Sequence, residues 1–200
     1  MKLLLTAFEP FGGEVINPGL EAIQLISDKI GDKEIVKAVI PTAFDTSIAT
    51  VIAYIQKEQP DIVLSIGQAG GRSDITVERV AININDARIP DNEEKQPVDQ
   101  PIVEEGPAAY FSNLPIKAMV QAIREVEIPA SISNTAGTFV CNHLMYGVLH
   151  YLKEHYPQAR GGFVHVPFLP KQVVQSTSAA PSMSLENFVK GIEAAIAVME

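Results

Sequence analysis

The alternation of short apolar runs with segments of helical spacing constrains this chain most. KLLLTAF (2–8), EIVKAVI (34–40), DIVLSIG (61–67), ITVERVAINI (75–84), ASISN (130–134) and GGFVHV (161–166) read as strands. Several of them, KLLLTAF and DIVLSIG above all, are too apolar to face water on either side. Between them lie helical patterns. One opens at Pro18 and repeats Leu20, Ile23, Ile26 and Ile30. TSIATVIAYIQKEQ follows, with Asp45 as its expected N-cap and Pro60 as its stop. PIKAMVQAIREVEI and VCNHLMYGVLHYLKEHY come next, the latter stopped at Pro157. The last helix sets Leu185, Phe188, Val189, Ile192, Ile196 and Met199 on one face. Strands alternating with helices predict the α/β class: a single-domain α/β/α sandwich over residues 1–200, with a mostly parallel twisted sheet and helices on both faces. Sites in such sheets form at the carboxyl ends of strands. That directs attention to the residues just after Phe8, Gly67, Asn134 and Val166. Residues 85–107 have no strand or helix pattern, and so long a loop in a compact domain is often functional.

Composition narrows the function. Fifteen basic residues against twenty-four acidic ones give a net charge of −9, which argues against a nucleic-acid partner. The single cysteine, Cys141, cannot form an internal disulfide, as expected in a reducing compartment. MKLLLTAFEPFGG lacks the apolar length and cleavage site of a signal peptide, and no uninterrupted apolar stretch is long enough to span a bilayer. The expectation is a soluble cytoplasmic protein without a membrane partner.

Three residues stand out chemically. Cys141 falls in the first turn of a helix, where unpaired N–H groups favour a thiolate and can bind an oxyanion. The bland alternative is a small buried hydrophobe. His143 is the tempting partner, but residues two apart on a helix face nearly opposite ways, so it reads as a packing histidine. His150 stands two turns further on, too far to share a metal with His143. No H-E-x-x-H or C-x-x-C pattern exists, so no metal site is expected. His165 differs, because it sits near the carboxyl end of a strand just before Pro167. Glu78 is anomalous in TVERVAINI, where strand alternation aligns it with Val80, Ile82 and Ile84. A carboxylate in an apolar row needs a partner, either Arg79 or Arg88 in an ion pair or a histidine nitrogen. Cysteine, histidine and glutamate are the ingredients of a thiol hydrolase. SIGQAGGR and FEPFGGE follow strands but match no phosphate-loop pattern. Their glycines suit tight turns and close approach of a ligand. Phe8, Phe11 and Phe139 stand near these loops as core packing or as an aromatic pocket.

The stretches FEPFGG (8–13), GQAGGRSDITVERVAIN (67–83), ARIPDN (87–92) and SNTAGTFVCN (133–142) resemble the pyroglutamyl-peptidase I family, the pyrrolidone-carboxylate peptidases. The resemblance runs from the first strand to FVHVPFLP (163–170). It implies a cysteine peptidase that removes N-terminal pyroglutamate from peptides, needs no metal or cofactor, and forms a cytoplasmic homo-oligomer, commonly a tetramer. It implies Cys141 as nucleophile, His165 as base and Glu78 as the group that orients the base. Phe11, with Phe8, Thr42, Ile89 and Phe139, would surround the lactam ring. Asn17 and Gln68 would hydrogen-bond it, and Arg88 would lie near the oxyanion. The alternatives are a thiol hydrolase or amidotransferase-like enzyme with another acyl substrate, or a non-catalytic small-molecule binding domain.

Overall fold

The first strand shows how the sheet is built. Leu3, Leu5 and Ala7 belong to one buried cluster, while Leu4 and Phe8 belong to another. A strand apolar on both faces requires a layer on each side. The computed structural model describes residues 1–175 and 179–200 and supplies both layers. β1 (Lys2–Phe8) is the centre of a parallel block that also holds β3 (Lys33–Ile40), β4 (Ile62–Gln68) and β9 (Arg160–Val166). β2 (Lys29–Ile30) adds a short antiparallel edge. β5 (Ile75–Glu78) runs antiparallel to β9 and parallel to β8 (Ala130–Ser133). The seven strands lie in the order β2-β3-β1-β4-β9-β5-β8.

Helices α1 (Pro18–Leu25), α3 (Ile116–Glu125) and α6 (Leu185–Ala197) cover one face, with Ala22, Ile23, Met119, Ile123, Phe188 and Ile192 in its core. Helices α2 (Thr46–Glu58) and α4 (Val140–His155) cover the other with Val51, Ile55, Leu144 and Tyr146. The expected α/β sandwich with a mostly parallel sheet is therefore what forms. A separate hairpin pairs β6 (Val80–Ile82) with β7 (Ala109–Phe111), and one helical turn, α5 (Pro170–Val173), follows β9.

Several local expectations change. The run 75–84 is not one strand, because the chain leaves the main sheet at Arg79, whose N–H bonds Ser133 O while its carbonyl accepts from Ser112. Glu78 thus shares no continuous row with Val80 and Ile82. The helix from Pro18 ends at Leu25. Ile26 turns extended (ψ 139°) and its carbonyl accepts from Lys37, so Ile30 lies in β2. Asp45 precedes α2 but does not cap it: its φ is +60° and its side chain makes no cap bond.

Residues 85–107 are ordered by an antiparallel Asn85–Gln100 bridge and by polar side chains. Asn83 Oδ1 accepts from the N–H groups of Ile102 and Val103. The buried Asp91 carboxylate accepts from the N–H groups of Phe44, Glu93 and Lys95. Ala87 is buried, its N–H donating to Pro97 O and its carbonyl accepting from Gln96, whereas Arg88 and Ile89 are exposed. Among the described residues no helix is long and apolar enough to cross a membrane.

Candidate active site

A cleft of about 410 Å³ opens above β4 and β9. Its walls include Cys141, His165, Gln68, Arg72, Arg88, Ile89, Phe11 and Phe139. A larger groove of about 530 Å³ over α3 and β8 contains no nucleophile.

Cys141 is the second residue of α4. The N–H groups of Val140, Cys141 and Asn142 precede the first helical bond, from His143 to the Phe139 carbonyl, and among the described residues they have no partner, so they can meet an anion. Gly67 lets the thiol come this close to the sheet. A Cβ there would lie 2.9 Å from Cys141 Sγ and 2.8 Å from Phe163 Cζ. Gly67 pairs directly with His165 across β4 and β9, so the same strand position serves both groups.

His165 and Glu78 form a cross-strand pair. Thr76 is opposite His165 in the antiparallel register, and Glu78, two residues on, is its diagonal neighbour on the same face. His165 Nδ1 lies 2.8 Å from Glu78 Oε1, and both residues are buried. The carboxylate can only accept, so Nδ1 donates and Nε2 keeps its lone pair. The partner of Glu78 is thus a histidine nitrogen. Arg79 instead donates to Asn134 Oδ1.

Sequence reasoning missed Arg72. Its Nη1 donates to the same Glu78 Oε1 at 2.5 Å and to Thr76 Oγ1, and Nη2 donates to the Thr135 carbonyl at 3.1 Å. A lone arginine after a glycine pair carries no periodicity that would single it out.

The electrostatics follow from burial and these partners. Burial pushes the Glu78 carboxyl up, but the His165 hydrogen bond and charge, with Ser133 and Arg72, outweigh it and hold the group below its ordinary range. Burial pushes the His165 imidazole down, against the pull of Glu78 and with the help of Arg72. Cys141, half-buried at the cleft wall, is pushed up to about 12 by burial and the Glu78 charge, with Arg72 opposing. Cys141 and His165 share the cleft wall, and among the described residues no hydrogen bond yet joins them. Such bonds commonly tighten only when substrate is bound.

The expected pocket residues divide into two layers. Phe11, Gln68, Arg88, Ile89 and Phe139 line the cleft, with the Phe11 and Phe139 ring centroids 6.0 Å apart. Phe8, Asn17 and Thr42 are buried and are not part of this lining. Asn17 caps α1 through Oδ1 to Gly19 N–H at 2.9 Å, and its Nδ2 donates to the Glu9 carbonyl at 3.4 Å. Thr42 donates to that same carbonyl at 2.9 Å, and Phe8 packs on Phe163. Gln68 accepts at Oε1 from Gln172 of α5, at 2.9 Å.

His143 points elsewhere, as helix geometry requires. Its Nδ1 is 3.0 Å from Asn85 Oδ1, and its Nε2 accepts from Asp45 N–H at 2.8 Å. Burial pushes this imidazole down to about 4. Its ring also packs edge-on against Phe44.

A thiol at a helix start, on one cleft wall with a carboxylate-oriented imidazole above an open α/β sheet, supplies the groups of a cysteine hydrolase. Comparison with known proteins makes the assignment specific. The family model described as pyroglutamyl peptidase matches residues 1–200. The pyrrolidone-carboxylate peptidase of Treponema denticola is 57% identical, covering 98% of this chain and 92% of its own. The crystal structure of pyroglutamyl peptidase I from Bacillus amyloliquefaciens superposes with a TM-score of 0.94 at 49% identity, over 98% of this chain and 95% of that one. A mutant pyrrolidone carboxyl peptidase from Pyrococcus furiosus gives 0.93 at 44% identity, over 98% and 96%. The chain belongs to the pyroglutamyl peptidase family.

Proposed function

We propose that residues 1–200 act as one catalytic domain that cleaves the bond after an N-terminal pyroglutamyl residue, with Cys141, His165 and Glu78 as its machinery. The observation that carries this reading is the 2.8 Å bond from His165 to Glu78 in the cleft that Cys141 lines. Glu78 fixes the tautomer, so Nε2 is the base. It takes the thiol proton as Sγ attacks the pyroglutamyl carbonyl carbon. The oxyanion meets the free N–H groups at the start of α4, with Arg88 on the same cleft wall. His165 then gives its Nε2 proton to the leaving amine and the C–N bond breaks. Water, deprotonated by the same nitrogen, hydrolyses the thioester and releases pyroglutamate.

Phe11, Phe139 and Ile89 supply apolar walls for a neutral lactam ring, and Gln68 supplies a hydrogen bond. A glutamyl, glutaminyl or prolyl N-terminus would bring a charged amine to these walls and be rejected. The reading includes a cytoplasmic homotetramer. Phe111 and Ile82, exposed on one face of the β6–β7 hairpin, support a contact between copies.

Cys141→Ser tests the assignment: it must abolish release of a chromogenic amine from its pyroglutamyl derivative. Full activity in that variant, or equal turnover of glutamyl and prolyl derivatives by the unmodified chain, would sink it.

A further inference from the structure

A chain of amide groups runs from the backbone of α5 into the cleft, and its direction is fixed. The Leu169 N–H can only donate, and it donates to Gln172 Oε1 at 2.9 Å. Gln172 therefore turns its Nε2 the other way. There it meets Glu14 Oε2 at 3.3 Å, a carboxylate that only accepts, and Gln68 Oε1 at 2.9 Å. Two independent partners, one obligate donor and one obligate acceptor, set the orientation of Gln172. Gln68 must then show its oxygen to Gln172. Its Nε2 is left with both hydrogens, and among the described residues it donates to no protein atom. Gln68 is part of the cleft wall.

We infer that Gln172 is a specificity-determining positioning residue. By holding the Gln68 oxygen, it makes the cleft present an amide N–H donor, and so selects an acyl group whose ring carries a carbonyl oxygen. This rests on the pyroglutamyl reading and extends it to a residue that does not line the cleft. A five-membered ring without that oxygen leaves the donor unmatched. A ring bearing N–H at the same point sets donor against donor, which a partly desolvated wall penalises. With Gln172 absent, Gln68 is free to turn either end of its amide to the substrate.

The test inverts the polarity of the relay without changing its shape. Gln172→Glu keeps an acceptor for Leu169 but shows Gln68 a second acceptor, forcing its amide to turn over. Glu14→Gln is made alongside, so that two carboxylates do not meet, and alone it serves as the reference. Steady-state kinetics on a chromogenic pyroglutamyl amide are measured for the unmodified chain, Glu14→Gln, Glu14→Gln with Gln172→Glu, and Gln172→Leu. The inverted relay should raise KM about 10- to 100-fold with kcat within about threefold, since the lost contact binds ground and transition states alike. Gln172→Leu frees the amide without inverting it and should raise KM only about 3- to 10-fold. Gln68→Glu, which removes the donor at its source, must reproduce the larger rise. The inference is overturned if the inverted relay leaves KM within twofold of its reference, if Gln172→Leu matches it, or if Gln68→Glu leaves KM unchanged. Failure of the unmodified chain to cleave the pyroglutamyl amide at all would instead overturn the underlying function, so the two failures are distinct.

Discussion

Acid should weaken this fold through a histidine that takes no part in the proposed chemistry. His143 is buried, and as a neutral ring it accepts from Asp45 N–H. Protonation destroys that acceptor. Burial dominates its titration and pushes it down to about 4, with Asp45 and Asp91 pulling up and Lys95 pushing down. An unfolded chain protonates the same ring near its ordinary value of about 6.5. Between these values the unfolded state binds more protons, so stability rises with pH across the window and is complete above it. At about 1.4 kcal/mol per pH unit, the loss by pH 5 is roughly 2 kcal/mol, and its limit below pH 4 is about 3 kcal/mol. Urea unfolding at pH 7.5 and 5.0, at one protein concentration, measures it. His143→Gln is the control. It should be less stable at pH 7.5 by roughly 1–3 kcal/mol, having lost the ring that packs on Phe44. It should lose about 2 kcal/mol less than the unmodified chain between the two pH values. Contributions from His165 and the carboxylates are common to both chains and cancel. If both chains lose the same stability on acidification, His143 is not held neutral by the fold and the reasoning fails.

Two further substitutions probe the site. Gly67→Ala places a methyl 2.9 Å from Cys141 Sγ and 2.8 Å from Phe163 Cζ. It should lower stability by about 1–3 kcal/mol and kcat by about 100-fold, since in the proposed mechanism an overpacked thiol no longer meets its base. Unchanged kcat would mean that the thiol has room to spare. Arg72→Gln removes a charge that helps hold Glu78 ionised and His165 low. The acid limb of kcat/KM should therefore move to higher pH, with Arg72→Lys restoring part of the shift. A uniform loss of rate with an unmoved limb would assign Arg72 a merely structural role.

Much of the fold was legible because burial imposes periodicity. KLLLTAF and DIVLSIG had to be covered on two faces, and that alone leads to the sandwich. The separation of Cys141 from His143 follows from helix geometry alone. What escaped the sequence was non-periodic. Glu78 read as one of a row because alternation cannot reveal the departure of the chain at Arg79. Asp45 has the residue type of a cap, yet its backbone is at positive φ and its N–H serves His143. Asn17 has cap chemistry too, and there the cap does form, from Gly19 N–H to its Oδ1. Arg72 and Gln172 act through hydrogen bonds across loops, which leave no spacing to read.

The antiparallel contact between β5 and β9 also bears on how the protein acquires activity. Glu78 and His165 are separated by 87 residues and meet only when those two strands are in register. Pairings of such long sequence separation carry the loop-closure cost that slows folding. During refolding, helices and the β1–β3 pairing can form before Glu78 and His165 have met. Recovery of turnover after dilution from denaturant therefore times the joining of the two halves of the sheet, and should lag behind the recovery of helical signal.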